Sequence, residues 1–278
     1  MAEVRPRLVS DRLVQVHYTF EERQLRYHHE ADGKLTQTLE TISEWYPALE
    51  EDLDYQRVVS IDGKRVSAAG LEQRDREHEK KVQGWIAKVR RAGSTPADWR
   101  RAKEAIEHAK ERGVIDELFL LYDIHMLHRE VIGGRPTIAF SVVPRPGYEP
   151  KQPDVQMAKH FGGRAWVDEE DRQLVRIEME ALDNVSLALG FVARLNKGSR
   201  AEFDRSRSDD GTWLPARERF AATGRLLLVK AIELDQVSEY RNYKPQPIDK
   251  IPAVGGVPRI PFTENLMASF SRAVAGRQ

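Results

Sequence analysis

The chain has no cysteine among its 278 residues. That removes disulfides, thiolate nucleophiles and cysteine-type zinc sites together. Neither sign of charge is in excess: Lys plus Arg number 44, and so do Asp plus Glu. A dedicated nucleic-acid binder needs surplus cations for phosphates, so no nucleic-acid partner is expected. No apolar run approaches the roughly 20 residues of a bilayer-crossing helix, so the chain is not expected to span a membrane. Met1 to Asp11 is polar and has no apolar signal core. Either the protein stays in the cytoplasm, or the sequence is a form whose targeting segment is gone. There is no G-x-S-x-G elbow, no H-E-x-x-H and no P-loop. No cofactor is expected.

What is abundant is turn chemistry. Asp32-Gly33, Asp62-Gly63, Gly133-Gly134, Asn196-Lys197-Gly198 and Asp209-Asp210-Gly211 punctuate strand-like segments. Such spacing specifies an antiparallel meander, each strand pairing with the next. Arg12 to Tyr46 reads as two long strands, with Val14, Val16, Tyr18 and Phe20 on one face of the first. The main ladder runs from Tyr122 to Tyr243. Its clearest alternation sets Val175, Ile177, Met179 and Ala181 against Arg176, Glu178 and Glu180. Leu226 to Val229 is a continuous apolar run, as in a strand covered on both faces. The segmentation gives about eleven strands.

Residues 71–121 break the period. Val82, Trp85, Ile86 and Val89 follow the i, i+3, i+4, i+7 rule of a helical stripe. Thr95-Pro96 reads as an N-cap with proline at the first helical position. Trp99, Ala102, Ile106 and Ala109 share one face of this second helix, which Gly113 is expected to end. From Pro245 to Pro261 the chain is rich in Pro and Gly and aperiodic. Thr263 to Val274 spaces Leu266, Met267, Phe270 and Val274 along one side of a short helix.

Candidate chemistry is sparse. His28-His29 point to opposite faces of a strand, and His125 and His128 do the same, so no metal site is expected. Glu178 and Glu180 share a strand face about 7 Å apart, the separation a carboxylate pair needs for acid–base work. Their opposite face is the apolar one, which makes them a solvated outer face. Asp168-Glu169-Glu170-Asp171 lacks EF-hand spacing. Gly133-Gly134-Arg135 and Gly162-Gly163-Arg164 both read as turns. The five tryptophans serve equally as dry core or as lining of an apolar cleft, and periodicity does not separate the two.

Several passages carry a family resemblance: Arg57-Val58-Val59-Ser60-Ile61-Asp62-Gly63-Lys64 before a charged helix, PRPGYEPK (Pro144 to Lys151), GRAWVDEEDRQLVRIEMEAL (Gly163 to Leu182), LNKGSRAEFDRSRSDDGTWLP (Leu195 to Pro215) and Tyr240-Arg241-Asn242-Tyr243. With the order strands, helical insert, long meander, the chain resembles the LolA/LolB-like family of outer-membrane lipoprotein-sorting proteins, in an uncharacterised exported branch. The resemblance covers residues 12–244. It implies a mainly β (α+β) fold: a strongly curved antiparallel half-barrel with helices inserted into its concave side. An N-terminal arm, 1–11, and a tail, 245–278, flank that domain. It also implies export to the periplasm and a non-enzymatic role. The expected ligand is a lipid or lipoprotein acyl chain, and an envelope protein is the alternative partner. Trp85, Val89, Trp99, Ile106, Trp166, Val175, Ile177 and Met179 are the expected lining.

Overall fold

Tight turns fix the strand order. At Gly133 and Gly134 φ is +58° and +79°, a left-handed pair that closes a two-residue hairpin and that side chains resist. The computed structural model describes residues 3–246 apart from 31, 33, 189–191 and 227–229. The tail and its expected short helix, Thr263 to Val274, lie outside the described residues.

The strands are β1 (Tyr18–His29), β2 (Leu35–Tyr46), β3 (Tyr55–Ile61), β4 (Lys64–Arg65), β5 (Tyr122–Ile132), β6 (Arg135–Pro144), β7 (Phe161–Asp168), β8 (Leu174–Ala181), β9 (Val185–Ala188), β10 (Val192–Leu195), β11 (Arg200–Arg207), β12 (Trp213–Leu226) and β13 (Lys230–Pro245). They form one 13-stranded sheet in the order β4-β3-β2-β1-β13-β12-β11-β8-β7-β6-β5, with β10 on β12 and β9 on β10. All pairings are antiparallel, and the sheet stays open between its edges β4 and β5. The meander expected from the turns is therefore present. Its surplus over eleven strands comes from the two-residue β4 and from Val185 to Leu195, which divides into a hairpin.

The helices are α1 (Asp11–Gln15), α2 (Ala68–Arg91), α3 (Pro96–Leu121) and α4 (Pro153–Gln156). Three expectations are corrected. Arg12 to Gln15 is helix, because the Ser10 hydroxyl caps it at the Leu13 amide and Leu13 and Val16 then pack together. Gly113 does not end α3; Val114 and Leu121 continue it into the core. Gly162 and Gly163 lie inside β7, not in a turn. The Thr95 cap and Pro96 start α3 as expected.

Two apolar clusters form the core, and the larger holds one face of the sheet against the helices. The larger joins Val114, Leu121 and Val155 to Met179, Phe203 and Phe220. The smaller joins α1 and Leu49 and Leu53 to Val82, Trp85 and Val89 of α2.

The turn between β7 and β8 is pinned by Asp168, whose side chain is fully buried. Its carboxylate accepts from Arg135 Nε at 2.6 Å and Nη2 at 2.9 Å, and from the amides of Glu170 and Asp171. Burial alone would raise its pKa; Arg135 and the two amides outweigh burial and hold it below the usual aspartate range. A depressed carboxyl adds stability above its unfolded pKa of about 4, and that stability is lost as pH falls through the folded value. Asp168→Asn is expected to cost about 2 kcal/mol at pH 7, below the figure for a fully buried pair because Arg135 is partly exposed. Denaturant titrations should show the gap between wild type and variant closing below pH 4.

Candidate functional site

The helix-covered face of the sheet divides into a polar half and an apolar half. In the polar half, Glu22 of β1 is 2% exposed. It accepts from Trp45 Nε1 at 2.6 Å, Ser238 Oγ at 2.8 Å and Gln56 Nε2 at 3.3 Å. Tyr240 donates to Glu218 on the same face. Asp11 of α1 pairs with Arg205 of β11 at 2.9 Å, both largely buried, and burial raises the Asp11 pKa. Groups so tightly partnered leave nothing to offer a ligand.

The apolar half lies on β5 to β8 and β11. Ile124, Val142 and Ile177 pack on or within the large cluster under the second half of α3. Alternation carries the same face outward. Met126 pairs with Phe140, Phe140 with Ala165, and Ile138 with Val167. Here the helical cover ends. Met126 is 50% exposed and Val131 68%, while Phe140 and Ile138 are half-buried. An apolar floor thus runs from the closed core to Met126 at the free edge of the sheet, where Arg129, opposite Ile138, shares the face. Its inner end is fixed by Glu117 of α3, which accepts from the amides of Lys151 and Gln152 at 2.5 and 2.8 Å.

The eight residues expected as lining fall into four places. Ile177 and Met179 lie on the floor or in the cluster behind it, and Val175 is buried in the same strand. Trp85 and Val89 sit apart, in the small cluster under α2. Trp166 is on the opposite face, with the guanidinium groups of Arg164 and Arg176 over its ring and its Nε1 donating to Glu130. Trp99 and Ile106 are on the solvent side of α3, 39% and 54% exposed. Ile124, Met126, Ile138 and Phe140 were missed. The alternation Tyr122, Ile124, Met126 was visible, but a bulge between Met126 and His128 breaks it.

The opposite face is charged. A groove of about 510 Å³ is lined by Arg164, Arg176, Glu178, Glu180, Arg200 and Arg217, among others. Its charges are cross-strand pairs: Arg164 with Glu178 at 2.7 Å, Arg200 with Glu180 at 2.9 Å, Arg176 with Asp204 at 2.5 Å. Each carboxylate of the candidate pair is held across the strands by its own arginine. Among the described residues no group of three His, Cys, Asp or Glu converges as a metal site. No described helix is long and apolar enough to cross a membrane.

No family model matches the chain, and no curated protein matches it. Solved structures do. A DUF1329 family protein from Desulfovibrio piger aligns at 13% identity over 88% of this chain and 91% of its own, with a TM-score of 0.29. An outer-membrane lipoprotein-sorting protein domain, described as putative, from Vibrio parahaemolyticus aligns at 7% identity over 88% and 90%, with a TM-score of 0.31. A LolA superfamily protein from Nitrosomonas europaea aligns at 9% over 86% and 95%, again at 0.31. The fold is similar to theirs.

Where β7 crosses β8, a Cβ on Gly163 would lie 1.9 Å from the Glu178 carbonyl oxygen. No side chain fits there, and the floor depends on that close approach. Gly163→Ala is expected to destabilise the protein by about 3 kcal/mol, measured by urea denaturation. Gly84→Ala in α2, where a Cβ meets nothing, should be neutral or stabilising.

Proposed function

We propose that the protein is a non-enzymatic carrier that binds an acyl chain of a lipid or lipoprotein on the apolar floor at the open edge of its sheet. The observation that carries this reading is the run Ile177, Ile124, Phe140, Met126, continuous from core to solvent and uncovered at its outer end. Each methylene moved from water onto such a surface gains about 0.8 kcal/mol. An ordinary acyl chain therefore gains on the order of 10 kcal/mol before ordering costs. The periplasm is the compartment we infer, as the family resemblance implies.

A second reading uses the same edge differently. Among the described residues β5 pairs with β6 alone, so its outer backbone groups are available to a partner strand. The bulge between Met126 and His128 interrupts that edge and confines any added strand to a short register.

A fluorescent fatty acid titrated into the purified protein tests the first reading. Wild type should bind saturably, and Met126→Asp should weaken binding at least tenfold, about 1.4 kcal/mol. Glu178→Gln, on the charged face, should leave it unchanged. Absence of binding by the wild type, or equal binding by Met126→Asp, sinks the carrier reading. Capture of an envelope protein that Met126→Asp abolishes, with no fatty-acid binding, favours the strand-addition reading.

A further inference from the structure

The chain is neutral as a whole, yet one stretch of it is strongly basic. From Lys80 to Lys103 there are eight Lys or Arg and a single acid, Asp98. The stretch comprises the second half of α2, the turn 92–95 and the start of α3. The apolar stripe of α2, Val82, Trp85 and Val89, is buried. That leaves Lys80, Lys81, Lys88, Arg90 and Arg91 exposed on its other sides. Arg91 donates to the carbonyl of Ala87, and among the described residues no carboxylate pairs with any of the five. The single acid is already occupied: Asp98 accepts from Thr95 Oγ1 at 2.7 Å and from Arg101 at 2.6 Å.

The start of α3 adds apolar surface to this charge. Trp99, Ala102, Ala105, Ile106 and Ala109 make one continuous apolar sector, and all five are exposed. Trp99 is the one exposed tryptophan of the five in the chain. The helix cannot roll to bury that sector. Its second half is fixed by Val114 and Leu121 in the large cluster and by the Glu117 bonds to Lys151 and Gln152. Its first half is fixed by Trp99 Nε1 donating to Glu50 at 2.9 Å. In this orientation the acids of α3 turn inward: Glu107 and Glu111 are buried, and Glu104 faces His17 at 3.2 Å. Arg101, Lys110 and Arg112 stay outside. The result is an exposed apolar sector rimmed by cations.

A partner for such a face must be apolar where it meets Trp99 and Ile106 and negative around them. A second copy fits poorly, because a two-fold contact would set Arg101, Lys110 and Arg112 against their own equivalents. A nucleic acid would use the cations and leave Ala102, Ile106 and Ala109 unmatched. An anionic lipid surface meets both demands. Lys and Arg reach its headgroups, while Trp and aliphatic side chains sit at the boundary of headgroups and acyl chains.

We propose that the helical hairpin of α2 and α3 docks on an anionic lipid membrane, with the Trp99–Ile106 sector against the lipid and the cations of both helices over its headgroups. This surface is separate from the acyl floor on β5 to β8 and does not rest on the carrier reading.

Cosedimentation of the full chain with vesicles tests it. Vesicles of equal parts phosphatidylglycerol and phosphatidylcholine should be bound at least tenfold more tightly than phosphatidylcholine alone, and less so as salt is raised. Tryptophan emission should shift to the blue on binding. Trp99→Phe should still bind but lose the shift, since the other four tryptophans are not exposed. Lys88→Glu with Arg91→Glu should weaken binding at least tenfold. Lys64→Glu with Arg65→Glu, an equal charge change on exposed β4, should weaken it far less. Met126→Asp should bind vesicles as wild type does, which separates this result from the fatty-acid titration. Absence of binding, equal binding to the two kinds of vesicle, equal loss in the two charge variants, or a shift that survives Trp99→Phe overturns the proposal. So does a dimer in solution that Ile106→Asp abolishes, which would put a second copy on this face.

Discussion

The pairing of β1 with β13 holds the molecule together. Without it, β1 to β4 would be a separate ribbon and the meander after α3 would end at a bare strand. The ladder runs from Tyr18 opposite Pro245 to Tyr27 opposite Asp235. It joins residues more than two hundred positions apart, so its closure entropy must be offset by what the paired strands bury. The side chains along it are matched accordingly. Ser238 donates to buried Glu22, and Arg23 bridges Glu40 and Glu239 across three strands. On the helix side, Phe20 stacks with Trp45 and meets Tyr240 and Tyr243. Loop-closure cost grows only logarithmically with length, so so long a connection is thermodynamically tolerable. It is also kinetically slow, which makes this the seam expected to form late.

From that seam follows the division of the helix-covered face. The strands nearest it bury carboxylates, amides and hydroxyls in mutual hydrogen bonds: Glu22, Ser238, Glu218 with Tyr240. A half-satisfied polar network is costly, and a satisfied one specifies geometry. This half is consequently rigid and committed. The far half, β5 to β8, rests mainly on apolar contact, with Glu117 bonded to the Lys151 and Gln152 amides at its inner end. Function is more readily lodged there, because an apolar surface accepts any apolar partner of suitable shape, while a satisfied network accepts none.

The sequence reading reached different depths in different places. Antiparallel order was legible because Gly133-Gly134 and its counterparts state their turn type locally. The α2 stripe was legible for the same reason: Val82, Trp85 and Val89 lie within two helical turns. What failed depended on distant partners. Val14, Val16 and Tyr18 alternate as a strand would, yet Ser10 and the contacts of Leu13 and Val16 with Ala48 and Leu49 make residues 11–15 a helix. Gly163 looks like a turn glycine, and only the Glu178 carbonyl of the next strand explains it. The lining residues were drawn from one rule, that apolar and aromatic positions face one hollow. Trp166 breaks that rule, since the guanidinium groups of its neighbours Arg164 and Arg176 meet its ring on the other face. Trp99 and Ile106 break it because the helix bearing them is oriented by its other half.

A carrier has to let go as well as hold, and the half-covered floor bears on that. A fully enclosed acyl chain would gain on the order of 10 kcal/mol gross, and with little ordering cost its release would be slow. A floor open on one side removes from water roughly half of the chain's surface, so the gross gain falls to about 5 kcal/mol before losses. On the carrier reading proposed above, affinity of that order suits a ligand passed from one site to the next, with a second apolar surface completing the enclosure at transfer. The exposed Met126 and Val131 lie where such a surface would meet the floor. The charged groove on the opposite face, with its arginines and carboxylates paired across strands, keeps that side wet and so directs any apolar encounter to the β5 edge.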